Sequence, residues 1–114
     1  MKTLTIKQID DELRKLMNEQ AEFTYVDEDG PKGCFYTHGP SNDPHRCDGC
    51  IFGQAFQRLG ISKEIIEDDI KNEYIAYAVA NWLPRKKPDY WVDIQEAQDN
   101  GVAWGRLIKF LPVE

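Results

Sequence analysis

Residues 34–60 read CFYTHGPSNDPHRCDGCIFGQAFQRLG, and the rest of the chain is organised around this stretch. Every cysteine and histidine of the protein lies between positions 34 and 50. Cys47 and Cys50 stand where a loop rich in proline and glycine gives way to an apolar run. In that run Ile51, Phe52, Ala55, Phe56 and Leu59 share one helical face, and Gly60 suits the left-handed residue that ends a helix. Upstream, residues 23–26 (FTYV) and 34–37 (CFYT) are short aromatic and β-branched runs on either side of the turn formers DEDGPKG. They predict an antiparallel β-hairpin with a long loop. A lone hairpin is marginal in water and must pack on helices.

The rest of the chain supplies those helices. Thr5 and Gln8 form a capping-box pair ahead of Ile9, Leu13, Leu16 and Met17, which predicts an amphipathic helix over residues 5–20. Ser62 can cap a helix carrying Ile65, Ile66 and Ile70, with Glu64, Glu67, Asp68 and Asp69 crowding its early turns. Across residues 73–83 the spacing of Tyr74, Ala78 and Trp82 favours helix over strand. Residues 84–88 (PRKKP) break that run with a basic loop. Residues 89–100 read as helix with Trp91, Ile94 and Ala97 inward, stopped by Asn100 and Gly101. Trp104, Leu107, Ile108 and Leu111 mark a last short helix. The expected fold is therefore α+β: a short antiparallel hairpin packed against four or five α-helices in one domain, residues 1–114.

Composition narrows the function. The chain is 41% hydrophobic and 30% charged, a globular balance. Its 14 basic and 20 acidic residues give a net charge of −6, which argues against general duplex-DNA binding. No apolar run approaches the roughly eighteen residues of a membrane span. Charges run through MKTLTIKQIDDELRKLM where a signal peptide needs an apolar core, so a cytoplasmic protein is expected. An odd cysteine count in a reducing compartment predicts no disulfide framework.

Three constellations could carry chemistry. Cys34, His45, Cys47 and Cys50 offer a tetrahedral set for structural zinc, with His38 in reserve. Cys50, at a helix N-terminus that lowers a thiol pKa, could instead serve a cysteine-dependent enzyme with His38 or His45 as base. Lastly, Tyr74, Tyr77, Tyr90, Trp82 and Trp91 gather around Arg85, Lys86 and Lys87, where rings could stack a base while cations hold phosphate. Against that stands ordinary core packing, for which aromatic residues are common anchors. Gln54, Gln98 and Asp99 are the polar residues that packing explains least, which marks them for a buried or ligand-facing network.

The order C-F-Y at residues 34–36, G-C-I-x-G-Q-x(4)-L-G at 49–60 and Q-D-x-G-x-x-W-G at 98–105 resembles small proteins of unknown function encoded by bacteriophages and actinobacteria. The resemblance covers residues 23–60 and 93–108. It implies that Cys34 and Cys50 belong to the shared framework while His45 and Cys47 are local additions. It also implies an accessory protein for host takeover or anti-defence, acting by stoichiometric binding and as a homo-oligomer. Two forms of that expectation stand side by side. In one, the protein sequesters a nucleotide-type immune signal without cleaving it, using Gln54, Tyr77, Arg85, Lys86, Tyr90, Gln98, Asp99 and Trp104. In the other, it occludes a host protein.

Overall fold

A computed structural model describes residues 3–24, 50–70 and 75–112 of the chain. Helix α1, Ile6–Glu19, starts at the predicted capping box. Gln8 N–H donates to Thr5 Oγ1 at 3.1 Å, and Thr5 N–H donates to Gln8 Oε1 at 2.9 Å. Its inner face buries Ile9, Leu13, Leu16 and Met17, together with Asp10. Helix α2, Ile51–Arg58, closes on Gly60 at φ +97°, a conformation that glycine adopts without a Cβ clash. Helix α3, Lys63–Asp69, is capped by Ser62, whose Oγ accepts from Ile65 N–H. Helix α4, Asp89–Asp99, gives way at Gly101, where φ is +87°. The residues Trp104–Phe110 form a 3-10 helix.

Phe52 and Phe56 of α2 lie at the centre of the core. Phe52 meets the edge of Trp91 from α4 at 5.7 Å, and Phe56 meets Trp82 at 5.1 Å, both in T-shaped geometry that suits the ring quadrupoles. α1 packs against α2 and against the 3-10 helix. Asp10, inside the core face of α1, is satisfied by two donors from α4: Trp91 Nε1 at 2.7 Å and the Tyr90 hydroxyl. A buried carboxylate without such partners would be costly. Among the described residues no helix is long and apolar enough to cross a membrane.

Two expectations need correction. Among the described residues every regular element is helical and there is no strand, so the α+β class gives way to an all-helical one. Most of the expected hairpin, residues 25–26 and 34–37, lies outside the described residues. Its first two positions, Phe23 and Thr24, do not join a strand. Phe23 N–H closes a turn onto Gln20 O at 3.0 Å, its carbonyl accepts from Trp104 N–H at 2.9 Å, and its ring stands edge-on to Trp104 at 4.6 Å. Docking onto the 3-10 helix overrides the β-propensity of this short run.

Residues 75–83 are likewise neither helix nor strand but a succession of turns and bends. Their backbone groups are satisfied from elsewhere. Ile75 N–H donates to Gln95 Oε1 at 2.7 Å, and Trp82 O accepts from Leu4 N–H at 2.8 Å. The helical spacing reflects burial of Ile75, Ala78 and Trp82, while Tyr77 and Val79 face outward.

Gly105 marks the tightest approach of the segment after α1 to the 3-10 helix. Its N–H donates to Ala21 O at 2.9 Å, and a Cβ on it would stand 2.8 Å from Ala21 Cβ and 2.9 Å from that carbonyl. Backbone on the other side cannot swing away as a flexible side chain would. Gly105→Ala is expected to destabilise the fold by about 1–3 kcal/mol, the usual range for overpacking. Urea unfolding with an unchanged slope would check it; an unaltered midpoint would contradict it.

Candidate functional site

Helix α4 has two faces of different character. Trp91, Ile94, Gln95 and Gln98 point inward and are buried. Val92, Glu96 and Asp99 turn toward the 75–80 stretch and, with Gln95, Asn100, Ala76 and Tyr77, line a cleft of about 440 Å³. That volume lies within the range of small-ligand sites, about 300–1,000 Å³. Tyr77 is 72% exposed, so its ring is presented at the cleft and not buried in the core.

Gln98 anchors the cleft to the core. Its Oε1 accepts from Ile51 N–H at 2.8 Å, and its Nε2 donates to Asp99 Oδ1 at 2.9 Å. Burial pushes the Asp99 carboxyl up to about 6, the donated Gln98 hydrogen bond opposes that rise, and the neighbouring Glu96 charge adds to it. A carboxyl with a perturbed pKa in a cleft is a marker of functional sites. The chemistry on offer is a pair of carboxylates, an exposed aromatic face and amide groups. Such a set is suited to a cation.

The structure brings Tyr77 and Asp99 to this cleft, with Gln98 behind it, and disperses the other predicted ligand residues. Arg85 lines a different cavity, beside Asp69 and Asn81. Lys86 and Tyr90 line a third, shallow one with Ile6, Lys87 and Pro88. There burial lowers the Lys87 pKa; burial, reinforced by the hydrogen bond to the Asp10 carboxylate, raises that of Tyr90. Gln54 accepts from Gln20 Nε2 at 3.2 Å across α1 and α2. Trp104 is fully buried in the core, its Nε1 without a hydrogen-bond partner among the described residues. The basic loop and the rings therefore do not converge on one nucleotide-shaped pocket.

Of the expected zinc set, Cys34, His45 and Cys47 lie outside the described residues, as does His38. Cys50 is buried and disulfide-bonded, which corrects the expectation of a chain without disulfides. A disulfide sulfur is neither a thiolate ligand nor a nucleophile, so Cys50 in this state serves neither zinc nor cysteine catalysis. Among the described residues no three His, Cys, Asp or Glu side chains gather as a metal group.

Sequence reasoning missed Gln95 and Glu96. A signal for both was present. Trp91, Ile94, Gln95 and Gln98 keep the i, i+3, i+4, i+7 spacing of a buried face, so two amides among apolar residues announce buried hydrogen bonds. Glu96 and Asp99 are three apart on the same helix and therefore neighbours. Comparison with known proteins finds no matching family model, no matching curated protein and no matching solved structure.

The raised Asp99 pKa makes its charge a burden on the native state. The sign follows from proton binding: the folded carboxyl holds its proton to a higher pH than the unfolded one. Stability is therefore lost as pH rises through the window from the ordinary value of 3.8 to about 6, and the loss is complete above it. Asp99→Asn keeps an oxygen for Gln98 and removes the charge. Its melting temperature is expected to exceed that of the parent at about pH 8 and to match it at about pH 4. An equal difference at both pH values would contradict the assignment.

Proposed function

We propose that this chain is a small binding protein acting by stoichiometric capture, and that the Asp99 cleft receives a lysine or arginine side chain of a protein partner. The supporting observation is the exposed Tyr77 ring beside the Glu96 and Asp99 carboxylates in one cleft of side-chain size. A carboxylate pair attracts an ammonium or guanidinium group, and an aromatic face adds a cation–π contribution of about 0.5–1 kcal/mol at an exposed site. The excess of acidic residues favours approach of a basic surface in general.

This is the protein-occluding form of the accessory, host-directed reading that the phage-type resemblance suggests. Action in the cytoplasm, of a host bacterium if the protein is phage-encoded, and self-association belong to the same proposal. The nucleotide-sequestering form draws less support, because Arg85, Lys86 and Tyr90 line different cavities from Tyr77 and Asp99.

A fluorescent lysine- and arginine-rich peptide serves as the probe, at moderate ionic strength so that remote charges are screened. Asp99→Asn is expected to weaken binding about tenfold, which corresponds to about 1.4 kcal/mol. Tyr77→Ala should weaken it about two- to fivefold. Glu64→Gln changes the net charge by the same unit as Asp99→Asn but lies on α3, outside the cleft lining, and should change little. Binding by the parent should also fall as pH drops through about 6, where Asp99 takes up its proton. Equal losses from Asp99→Asn and Glu64→Gln would reduce the effect to net charge and overturn the proposal.

A further inference from the structure

A separate cavity of about 620 Å³ opens where residues 3–4, the C-terminal end of α3 and the 79–85 stretch meet. Two hydrogen bonds build the junction: Leu4 N–H to Trp82 O at 2.8 Å and Thr3 Oγ1 to Asn81 O at 2.9 Å. Asp69, Asn81 and Arg85 supply polar groups, while Val79, Ala80 and the buried Leu83 supply an apolar wall.

Asp69 is held in place. Its Oδ2 accepts from Trp82 Nε1 at 2.7 Å, and its Oδ1 has no hydrogen-bond partner among the described residues. Arg85 is exposed and makes no ion pair or hydrogen bond among the described residues. A carboxylate and a guanidinium thus line one cavity without pairing with each other. Opposite charges that share a cavity yet stay apart are complementary to a ligand carrying both charges, its anion toward the guanidinium and its cation toward the carboxylate. The apolar wall calls for an aliphatic body between or beside them. Among the described residues no aromatic ring lines this cavity, so these residues offer a nucleobase no stacking platform.

We infer that this cavity binds a free zwitterion with an aliphatic side chain, an amino acid of the leucine type, its carboxylate on Arg85 and its ammonium on Asp69. Asn81 stands by as a supplementary donor or acceptor for the same polar end. The site shares no lining residue with the Asp99 cleft among the described residues.

Isothermal titration calorimetry on the full chain tests it with four probes: L-leucine, N-acetyl-leucine, leucinamide and adenosine monophosphate. Leucine is expected to bind. N-acetyl-leucine lacks the ammonium and leucinamide lacks the carboxylate, so each should bind about tenfold more weakly or worse, by about 1.4 kcal/mol. Arg85→Gln and Asp69→Asn should each lower leucine affinity by a similar factor. The Asp69→Asn side chain keeps an oxygen for the Trp82 indole, and a thermal melt will report whether the fold is retained. Arg85 is exposed, and the blocked ligands need no substitution at all, so a poorly folding Asp69 variant leaves the test intact. Absence of leucine binding, equal binding of the blocked derivatives, or a preference for adenosine monophosphate would each overturn the inference.

Discussion

Helix α2 begins without a capping side chain of its own: Cys50 stands at the N-cap and makes no side-chain hydrogen bond there. The first turn of any helix leaves backbone donors without an intrahelical partner, and here the one at Ile51 is filled from another helix, by Gln98 Oε1 at 2.8 Å. A buried N–H left unpaired would cost about 1–3 kcal/mol, a large share of the stability of a small domain. The same helix face fills a second backbone donor through Gln95 and Ile75 N–H. α4 therefore fixes the placement of both segments that sandwich the core: α2, which carries Phe52 and Phe56, and the 75–83 stretch, which carries Trp82. The ring contacts of Phe52 with Trp91 and of Phe56 with Trp82 depend on that placement.

The same amide determines the state of the Asp99 cleft. A backbone N–H can only donate, so the oxygen of Gln98 must face Ile51 and its nitrogen must face outward. Asp99 consequently meets a donor whose direction is dictated by the core. The amide cannot turn over without stranding Ile51 N–H. Burial still outweighs this hydrogen bond in the balance that sets the Asp99 pKa, which is why the carboxyl titrates near 6 and not below its usual range. A group held by packing in this way is positioned with the precision of a helix and not of a loop.

Local signals made most of the helices legible. The Thr5–Gln8 capping box, Ser62, and the positive-φ glycines at 60 and 101 each act within one turn, and each stands where the sequence placed it. What escaped was decided by distant partners. Phe23 has the composition of a strand residue, yet its carbonyl and ring are claimed by Trp104, eighty-one positions away in sequence. Residues 75–83 keep a helical spacing of apolar side chains, yet the stretch runs as turns and bends whose ends are tied to distant partners, Ile75 N–H to Gln95 and Trp82 O to Leu4. The site was legible to the same degree. Tyr77, read with the rings around the basic loop, and Asp99, read with Gln54 and Gln98, line one cleft, whereas Arg85 lines a cavity apart from the one that Lys86 and Tyr90 share. Residues 84–88 form no regular element, so consecutive side chains there project into different cavities.

Net charge cannot account for what each cavity selects. At physiological ionic strength the screening length is about 8 Å, so a surplus of acidic groups spread over the whole surface acts only weakly on a ligand already in contact. Selection then falls to the groups lining each cavity. Among the described residues the α4 cleft is lined by carboxylates and neutral groups with no cation, so its charges disfavour an anionic ligand. Among the described residues the cavity at Arg85 is lined by one charge of each sign, and a singly charged ligand of either sign leaves one of them unmatched. Two sites on one acidic chain thus differ in kind. The difference traces to α4: its buried glutamines fix the backbone from which Asp99 projects, while Trp82, packed against α2, fixes Asp69.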